Sequence, residues 1–186
     1  VTADDIQRLA KVTPHRAQAL VEIFQSGRQL VAELKEQGLW TDGSVVVDLG
    51  CGRGRLAAGW VDTKAPYLGI DVSVKRLHTC VSLFGNYPNL KFRHLYAFNG
   101  RYHRGGLPLR DGELPVKSGS VDLVVAKSLF THLGPLEDCR HYLQEIERIL
   151  KPGGHVWMTW LTSPPHPQSS ECQATAYPLK TIHSLL

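Results

Sequence analysis

Asp48, Gly50, Gly52 and Gly54 place an acid ahead of three glycines at alternate positions, directly after Val45-Val46-Val47. A second acid, Asp71, closes Tyr67-Leu68-Gly69-Ile70, 17 residues beyond Gly54. Glycine reaches dihedrals closed to other residues and lacks the Cβ that would hold a ligand off the backbone. A carboxylate has two oxygens with which to accept hydrogen bonds from paired hydroxyls or to meet a cation. The combination describes a small-molecule pocket at the carboxyl edge of a sheet. Arg55-Leu56-Ala57-Ala58 is expected to open a helix there, whose free N–H groups favour an anionic group. A third reactive group, His132, has a reference pKa near ~6.5 and suits a general base toward a hydroxyl or amine. It is equally suited to packing or capping the loop before Pro135.

The elements that position these groups follow from periodicity. Nearly continuous apolar runs at 44–49 and Val121–Ala126 read as strands covered on both faces, and Tyr67–Asp71, Leu90–Leu95 and His155–Leu161 complete a set of five. Between them lie helical stretches. Residues 14–37 carry Leu20, Ile23, Phe24, Leu30, Val31 and Leu34 on one face, with Pro14 in the first turn and Gly38 as the stop. Gly27 falls on that apolar face and marks a close approach of another element or a break in the helix. A short helix is expected to follow the glycine turn and to end near residue 61. Ser73 is expected to cap a helix with the stripe Val74, Leu77, Val81 and Phe84. A further helix from Pro135 carries Leu136, Cys139, Leu143, Ile146, Ile149 and Leu150, and Lys151-Pro152-Gly153-Gly154 stops it. Strand and helix alternate, which means α/β architecture, a parallel sheet and right-handed crossovers. The stretch 97–120 has no clear period, as functional or mobile segments often do.

At 186 residues and 42% apolar content, the chain can bury a core as one domain without disulfides or structural metal. Cys51, Cys80, Cys139 and Cys172 lack the spacing of a zinc site or disulfide framework, so no metal is expected and a reducing, cytoplasmic location is. No apolar run is long enough to span a membrane. Asp4 and Asp5 argue against a signal peptide, although the chain opens on Val1 rather than Met, so a preceding segment would escape this reading. The net charge is +4, but from Val72 to Arg110 there is no Asp or Glu, while Lys75, Arg76, Lys91, Arg93, Arg101, Arg104 and Arg110 are basic. Such a stretch is either a solvated surface or a face toward nucleic acid or an acidic partner; no nucleic-acid-binding motif accompanies it.

The glycine spacing differs from the dinucleotide fingerprint, whose last glycine comes one position later. Together with Leu68-Gly69-Ile70-Asp71-Val72-Ser73, the run Gly119–Val125 continuing through Ser128-Leu129-Phe130-Thr131-His132-Leu133, and Leu150-Lys151-Pro152-Gly153-Gly154, it resembles the class I S-adenosylmethionine-dependent methyltransferases. These blocks lie in order across about residues 26–161. The resemblance implies a three-layer Rossmann-like fold with helices on both faces, and S-adenosyl-L-methionine as cofactor, with S-adenosylhomocysteine as product. It implies that Asp48 and the backbone of Gly50, Cys51, Gly52, Arg53 and Gly54 hold the methionine part, with the Asp48 carboxylate near its ammonium. Asp71, with Val72 following it, would hold the ribose; Leu95 and Tyr96 would lie by the adenine; Lys127 and Ser128 would run along the cofactor near the sulfonium. Many relatives carry an acid after the third strand, where this chain has His94-Leu95-Tyr96-Ala97, so adenine recognition is expected to rest on backbone and packing. Arg53 and Arg55 beside the glycines would oppose a helix dipole without an anion nearby, and either could reach the cofactor carboxylate or face solvent.

The implied reaction is in-line transfer of a methyl group to an unidentified nucleophile, with a small-molecule acceptor favoured over nucleic acid. Two rivals stand beside it: a silent or truncated cofactor-binding domain, and a nicotinamide-binding Rossmann enzyme. Three segments are expected: a helical one over 1–40 flanking the site, the cofactor-binding core over 41–161, and a proline-containing tail over 162–186. Only 25 residues follow Leu161, and four of them are prolines, so the antiparallel hairpin that often completes such sheets is expected to be incomplete or absent. The edge of the fifth strand would then be covered by the tail or by a second copy in a dimer, or left exposed.

Overall fold

The computed structural model describes residues 2–99, 105–108, 111–133 and 136–160. Its elements are α1 (Ala3–Ala10), α2 (Pro14–Glu36), β1 (Val46–Leu49), α3 (Ala57–Trp60), β2 (Tyr67–Asp71), α4 (Val74–Phe84), β3 (Leu90–His94), β4 (Val121–Ala126), a 3-10 turn (Phe130–His132), α5 (Leu136–Ile149) and β5 (Leu150–Met158). The five strands form one parallel sheet in the order β3-β2-β1-β4-β5. The order reverses at β1, so β1 and β4 diverge to crossovers on opposite faces and leave a crevice at their carboxyl ends, where open α/β sheets bind ligands.

Successive side chains of a strand point to opposite faces, and β1 shows it directly. Val46 joins a core with Phe24, Val31, Leu34 and Trp60 of α2 and α3, whereas Val47 and Leu49 join a second core with Tyr142, Ile146 and Ile149 of α5. The sheet is therefore the middle of three layers. On the first face α2 runs unbroken past Gly27, and the glycine is the close approach: a Cβ there would lie 1.8 Å from the Arg55 carbonyl oxygen. Arg28 adds a hydrogen bond from Nε to the Ala58 carbonyl at 3.1 Å, so α2 is clamped along the segment leaving the glycine turn. Gly38, at φ +73°, ends α2 with its N–H on the Lys35 carbonyl.

Several expectations need correction. The helix after the glycine turn is only the four residues Ala57–Trp60, because Gly52 and Gly54 hold left-handed dihedrals and delay its start, so it has little dipole to offer an anion. Ser73 occupies the cap position of α4 without a side-chain cap; its backbone N–H instead donates to Asp71 Oδ1 at 2.7 Å. The buried stripe of α4 is Leu77, Cys80, Leu83 and Phe84, while Val74 and Val81 are half exposed, at 50% and 56%, because cysteine takes the inward position the valines were expected to hold. β5 begins at Leu150, not His155; Leu150 pairs with Val121, and Gly153 at φ +79° lets the strand bulge before Leu123 pairs with His155. Helix α1 adds a separate helix before Pro14 to the helical segment expected over 1–40; it is fixed by a capping box between Thr2 and Asp5 and packs on α2 and α4.

Among the described residues, β5 is an edge strand, with Val156 40% exposed. The expectation of a missing hairpin concerns residues outside those described, as do Pro135, Arg101, Arg104, Arg110 and Cys172.

Candidate functional site

Two adjoining cavities open at the carboxyl ends of β1, β2 and β4, and both are lined by Gly50, Arg76, Ser128 and His132. One is a mostly apolar slot formed by Leu49, Ile70, Asp71, Val72, Leu95, Asn99, Leu129, Leu133 and Tyr142. The other, about 320 Å³, is polar and adds Leu20, Ile23, Asp48, Cys51, Gly52, Arg53, Arg55, Leu56 and Lys127. An elongated ligand with an apolar ring at one end and charged groups at the other matches this division.

The glycine turn is built for close approach. Gly50, Gly52 and Gly54 take φ of +77°, +60° and +86°. A Cβ on Gly50 would press on Leu129 at 3.3 Å, across the slot. Gly54 serves packing instead: its Cβ would meet the Phe84 ring at 2.6 Å, and it lines neither cavity.

Asp71 is buried at the end of β2 and holds the turn in place. Its Oδ2 accepts from the Gly52 N–H at 2.8 Å and its Oδ1 from the Ser73 N–H at 2.7 Å. Each carboxylate oxygen has a second lone pair, so the side chain can still accept two hydroxyls from the slot it lines. Asp48 differs. Among the described residues its carboxylate receives one side-chain hydrogen bond, from Tyr67 Oη at 2.7 Å, and it is 2% exposed. Burial pushes its pKa up to about 7; the Tyr67 bond and Arg55 oppose that shift and Asp71 adds to it. Tyr67 is itself wedged between the rings of Trp60 and Phe92, at centroid distances of 5.4 and 6.0 Å, and burial beside Asp48 keeps its hydroxyl protonated. A buried carboxylate this lightly satisfied fits a cationic group brought by a ligand.

Cys51 contributes backbone to the turn while its thiol faces Cys80, whose Sγ donates to the Gly52 carbonyl at 3.3 Å. The contact with Cys80 and burial push the Cys51 thiol up, so it stays neutral. Opposite the turn, Ser128 stands at φ +59°, a strained conformation for serine, and its N–H donates to Thr159 Oγ1 at 2.7 Å. Burial and the like charge of Arg55 push the Lys127 ammonium down. Burial, then Arg16 and Arg76, push the Arg53 guanidinium down.

Of the residues singled out from the sequence, Asp48, Gly50, Cys51, Gly52, Arg53, Lys127, Ser128 and His132 line the polar cavity, and Asp71, Val72 and Leu95 the slot. Tyr96, 63% exposed, lies outside both, in a neighbouring cavity with His141 and Glu145. Sequence reasoning missed Arg76, Asn99, Leu129, Tyr142 and Thr159. Arg76 had a usable signal, one turn into the helix that follows Asp71; Asn99 and Tyr142 arrive from distant segments. The Asn99 amide donates to the His132 carbonyl at 3.4 Å, joining the segment after β3 to the one after β4.

Comparison with known proteins agrees with this arrangement. A structure from Methanococcus maripaludis, assigned as an S-adenosyl-L-methionine-dependent methyltransferase, superposes with a TM-score of 0.56 at 15% identity, over 84% of this chain and 61% of that one. Phosphoethanolamine N-methyltransferase 2 of Haemonchus contortus, in complex with phosphomonomethylethanolamine and S-adenosylhomocysteine, gives a TM-score of 0.60 at 22% identity, over 84% of this chain and 35% of that one. The cyclase SpnF gives a TM-score of 0.62 at 18% identity, over 85% and 55%. At these identities the likeness is one of fold, and this chain spans less than two thirds of each of the three. Residues 47–158 match a protein family described as "Methyltransferase domain", more than half of the sequence and every strand of the sheet but the first residue of β1, and the chain belongs to that family.

Proposed function

We propose that this chain transfers a methyl group from S-adenosyl-L-methionine to a nucleophile on a second substrate. The observation that carries the reading is the contrast in one cleft between Asp71, already anchored by two backbone N–H groups, and Asp48, buried with a single side-chain donor. The first suits a pair of ribose hydroxyls; the second suits an amino-acid ammonium. The cofactor, when bound, supplies a methyl group on a positively charged sulfur. What remains for the protein is to align the nucleophile and exclude water, and orientation alone can account for on the order of 7–11 kcal/mol of barrier.

The apolar walls of Leu49, Ile70, Leu95, Leu129 and Leu133 would take the adenine, with no acid after β3 to single out its amino group. Asp71 and Val72 would hold the ribose, and the backbone of Gly50–Arg53 with Asp48 the methionine part. Lys127 and Ser128 would border the transferring group. His132 lines both cavities and would take the proton from a hydroxyl or protonated amine acceptor. The segment over 41–161 forms the cofactor-binding core and 1–40 its flanking wall. The described cysteines are free thiols, which favours a reducing, cytoplasmic location. Among the described residues, no helix is long and apolar enough to cross a membrane.

Thermal shift with S-adenosylhomocysteine beside NAD tests the cofactor assignment: stabilisation by the first and not the second is expected, and the reverse would overturn it. Formation of S-adenosylhomocysteine with pooled small-molecule, protein and RNA acceptors then tests turnover. A second reading is cofactor binding without methyl transfer, since a fold shared with a protein named as a cyclase does not by itself fix the reaction. Binding with no turnover on any pool would support it.

A further inference from the structure

Resting on the methyl-transfer reading above, we infer that the acceptor is a small anion whose phosphate or carboxylate group docks in a basic basin that shares Arg53 with the cofactor cleft. The basin, about 510 Å³, lies between the α1–α2 turn, the glycine turn and α4. Lys11, Arg16, Arg53, Lys75 and His78 line it, with hydroxyls from Thr13, Thr79 and Ser82, and no Asp or Glu is among its lining residues. Arg53 belongs to both spaces, since it also lines the polar cavity with Arg55, Arg76 and Lys127.

The charge count decides the matter. Leaving Arg76 aside, six Lys and Arg side chains line these cavities, against the two carboxylates Asp48 and Asp71. Asp71 is occupied by backbone donors and Asp48 is set aside for the cofactor ammonium, while the cofactor itself brings one carboxylate. Positive charge is left over. Among the described residues, none of Arg16, Arg53, Arg55, Lys75 and Lys127 forms a salt bridge with an acid. Lys11, Arg16 and Lys75 are exposed at the basin's rim, while Arg53, Arg55 and Lys127 are half-buried, and like charges gathered this way attract an anion. Arg53 is half-buried with Arg16 and Arg76 as neighbours, so it cannot disperse its charge into bulk water as an isolated surface arginine does. At the rim Lys11 caps the C-terminus of α1 at φ 50°, a left-handed conformation uncommon for lysine.

Guanidinium groups present planar, paired donors that match phosphate and carboxylate oxygens. The basin is local rather than a track: Asp4 and Asp5 lie in the first turn of α1, about 9–11 Å along the helix from Lys11, and would repel an extended polyanion. A small acceptor with one anionic group meets this geometry better than a nucleic-acid strand does.

The test titrates inorganic phosphate, and separately succinate, into the full chain saturated with S-adenosylhomocysteine, followed by NMR shift changes. The wild type is compared with Arg16→Glu/Lys75→Glu and with the milder Arg16→Gln/Lys75→Gln; both positions are exposed, so folding should persist. Saturable binding in the loaded wild type, weakened at least tenfold by the Glu pair and less by the Gln pair, with S-adenosylhomocysteine affinity within twofold, supports the inference. Tighter binding of phosphate than succinate points to a phosphorylated acceptor, and the reverse to a carboxylate. With a reactive acceptor pool, the Glu pair should raise KM rather than lower kcat. The inference falls if neither anion binds the loaded protein, if the substitutions leave binding unchanged, if S-adenosylhomocysteine displaces the anion, or if short single-stranded RNA binds through the basin while phosphate does not. Failure of the methyl-transfer reading is distinct: the wild type would then either not bind S-adenosylhomocysteine, or bind it and turn over no acceptor from any pool.

Discussion

Asp48 and Asp71 end adjacent parallel strands, yet the protein treats them differently. Asp71 sits two residues past the level of Asp48, which pairs with Gly69, and that offset lets it reach the N–H groups of Gly52 and Ser73. Asp48 lies deeper, under the turn, where a phenol is its hydrogen-bond donor and burial pushes it up to about 7. One carboxylate organises the backbone before any ligand arrives; the other is left short of positive charge. The same residue type thus serves as a fixed acceptor in one place and a receptor for a cation in the other, and the difference lies in the backbone donors within reach.

If both carboxylates only bind, the chemistry falls to the segment after β4. His132→Asn should then lower kcat by ~10²–10⁴-fold with a reactive acceptor while S-adenosylhomocysteine affinity holds; full turnover with intact cofactor binding would remove His132 from the chemistry. The next effect separates the carboxylates by sign. The folded-state pKa of Asp48 is raised from 3.8 to about 7, so the folded chain binds the extra proton and stability is lost as pH climbs through that window. Asp48→Asn should therefore stabilise the free protein at pH 8 by on the order of 2–4 kcal/mol and hardly at pH 4, read by urea unfolding. Asp71→Asn should act oppositely, since an amide is a weaker acceptor for the Gly52 and Ser73 N–H groups, and cost about 1–3 kcal/mol. Stabilisation by both, or by neither, would erase the distinction. Smallest is the support beneath the turn: Gly27→Ala drives a methyl into the Arg55 carbonyl and should cost ~1–3 kcal/mol, with weaker cofactor binding following from the displaced turn.

What the sequence revealed was whatever the local backbone dictates. The valine run, the glycine dihedrals and the acid after Ile70 are features of adjacent residues, and the cleft forms around them. Gly27 was legible as a close approach or a helix break, because a glycine on an apolar helix face calls for a reason, and the unbroken α2 selects the first. Less legible was whatever depends on packing between distant segments. Tyr67 read as a strand residue, and only the β1–β2 register brings its hydroxyl under Asp48. Arg16 reaches Arg53 because α2 packs along α3 and the segment leaving the glycine turn, which the sequence alone does not place together. Cys80 displaced Val81 from the buried stripe because cysteine, although small and apolar enough for the core, was not counted among its markers.

The account's central claim is that this cleft takes S-adenosyl-L-methionine with its ammonium on Asp48, and titration calorimetry of S-adenosylhomocysteine at pH 6 and pH 8 tests it most directly. At pH 8 Asp48 is ionised and ready; at pH 6 it must first give up its proton. One-to-one binding is predicted at both, about tenfold weaker at pH 6 and accompanied there by release of about one proton to the buffer, with both effects abolished in Asp48→Asn. Absence of binding, or an affinity and proton balance indifferent to pH in the wild type, would contradict the claim.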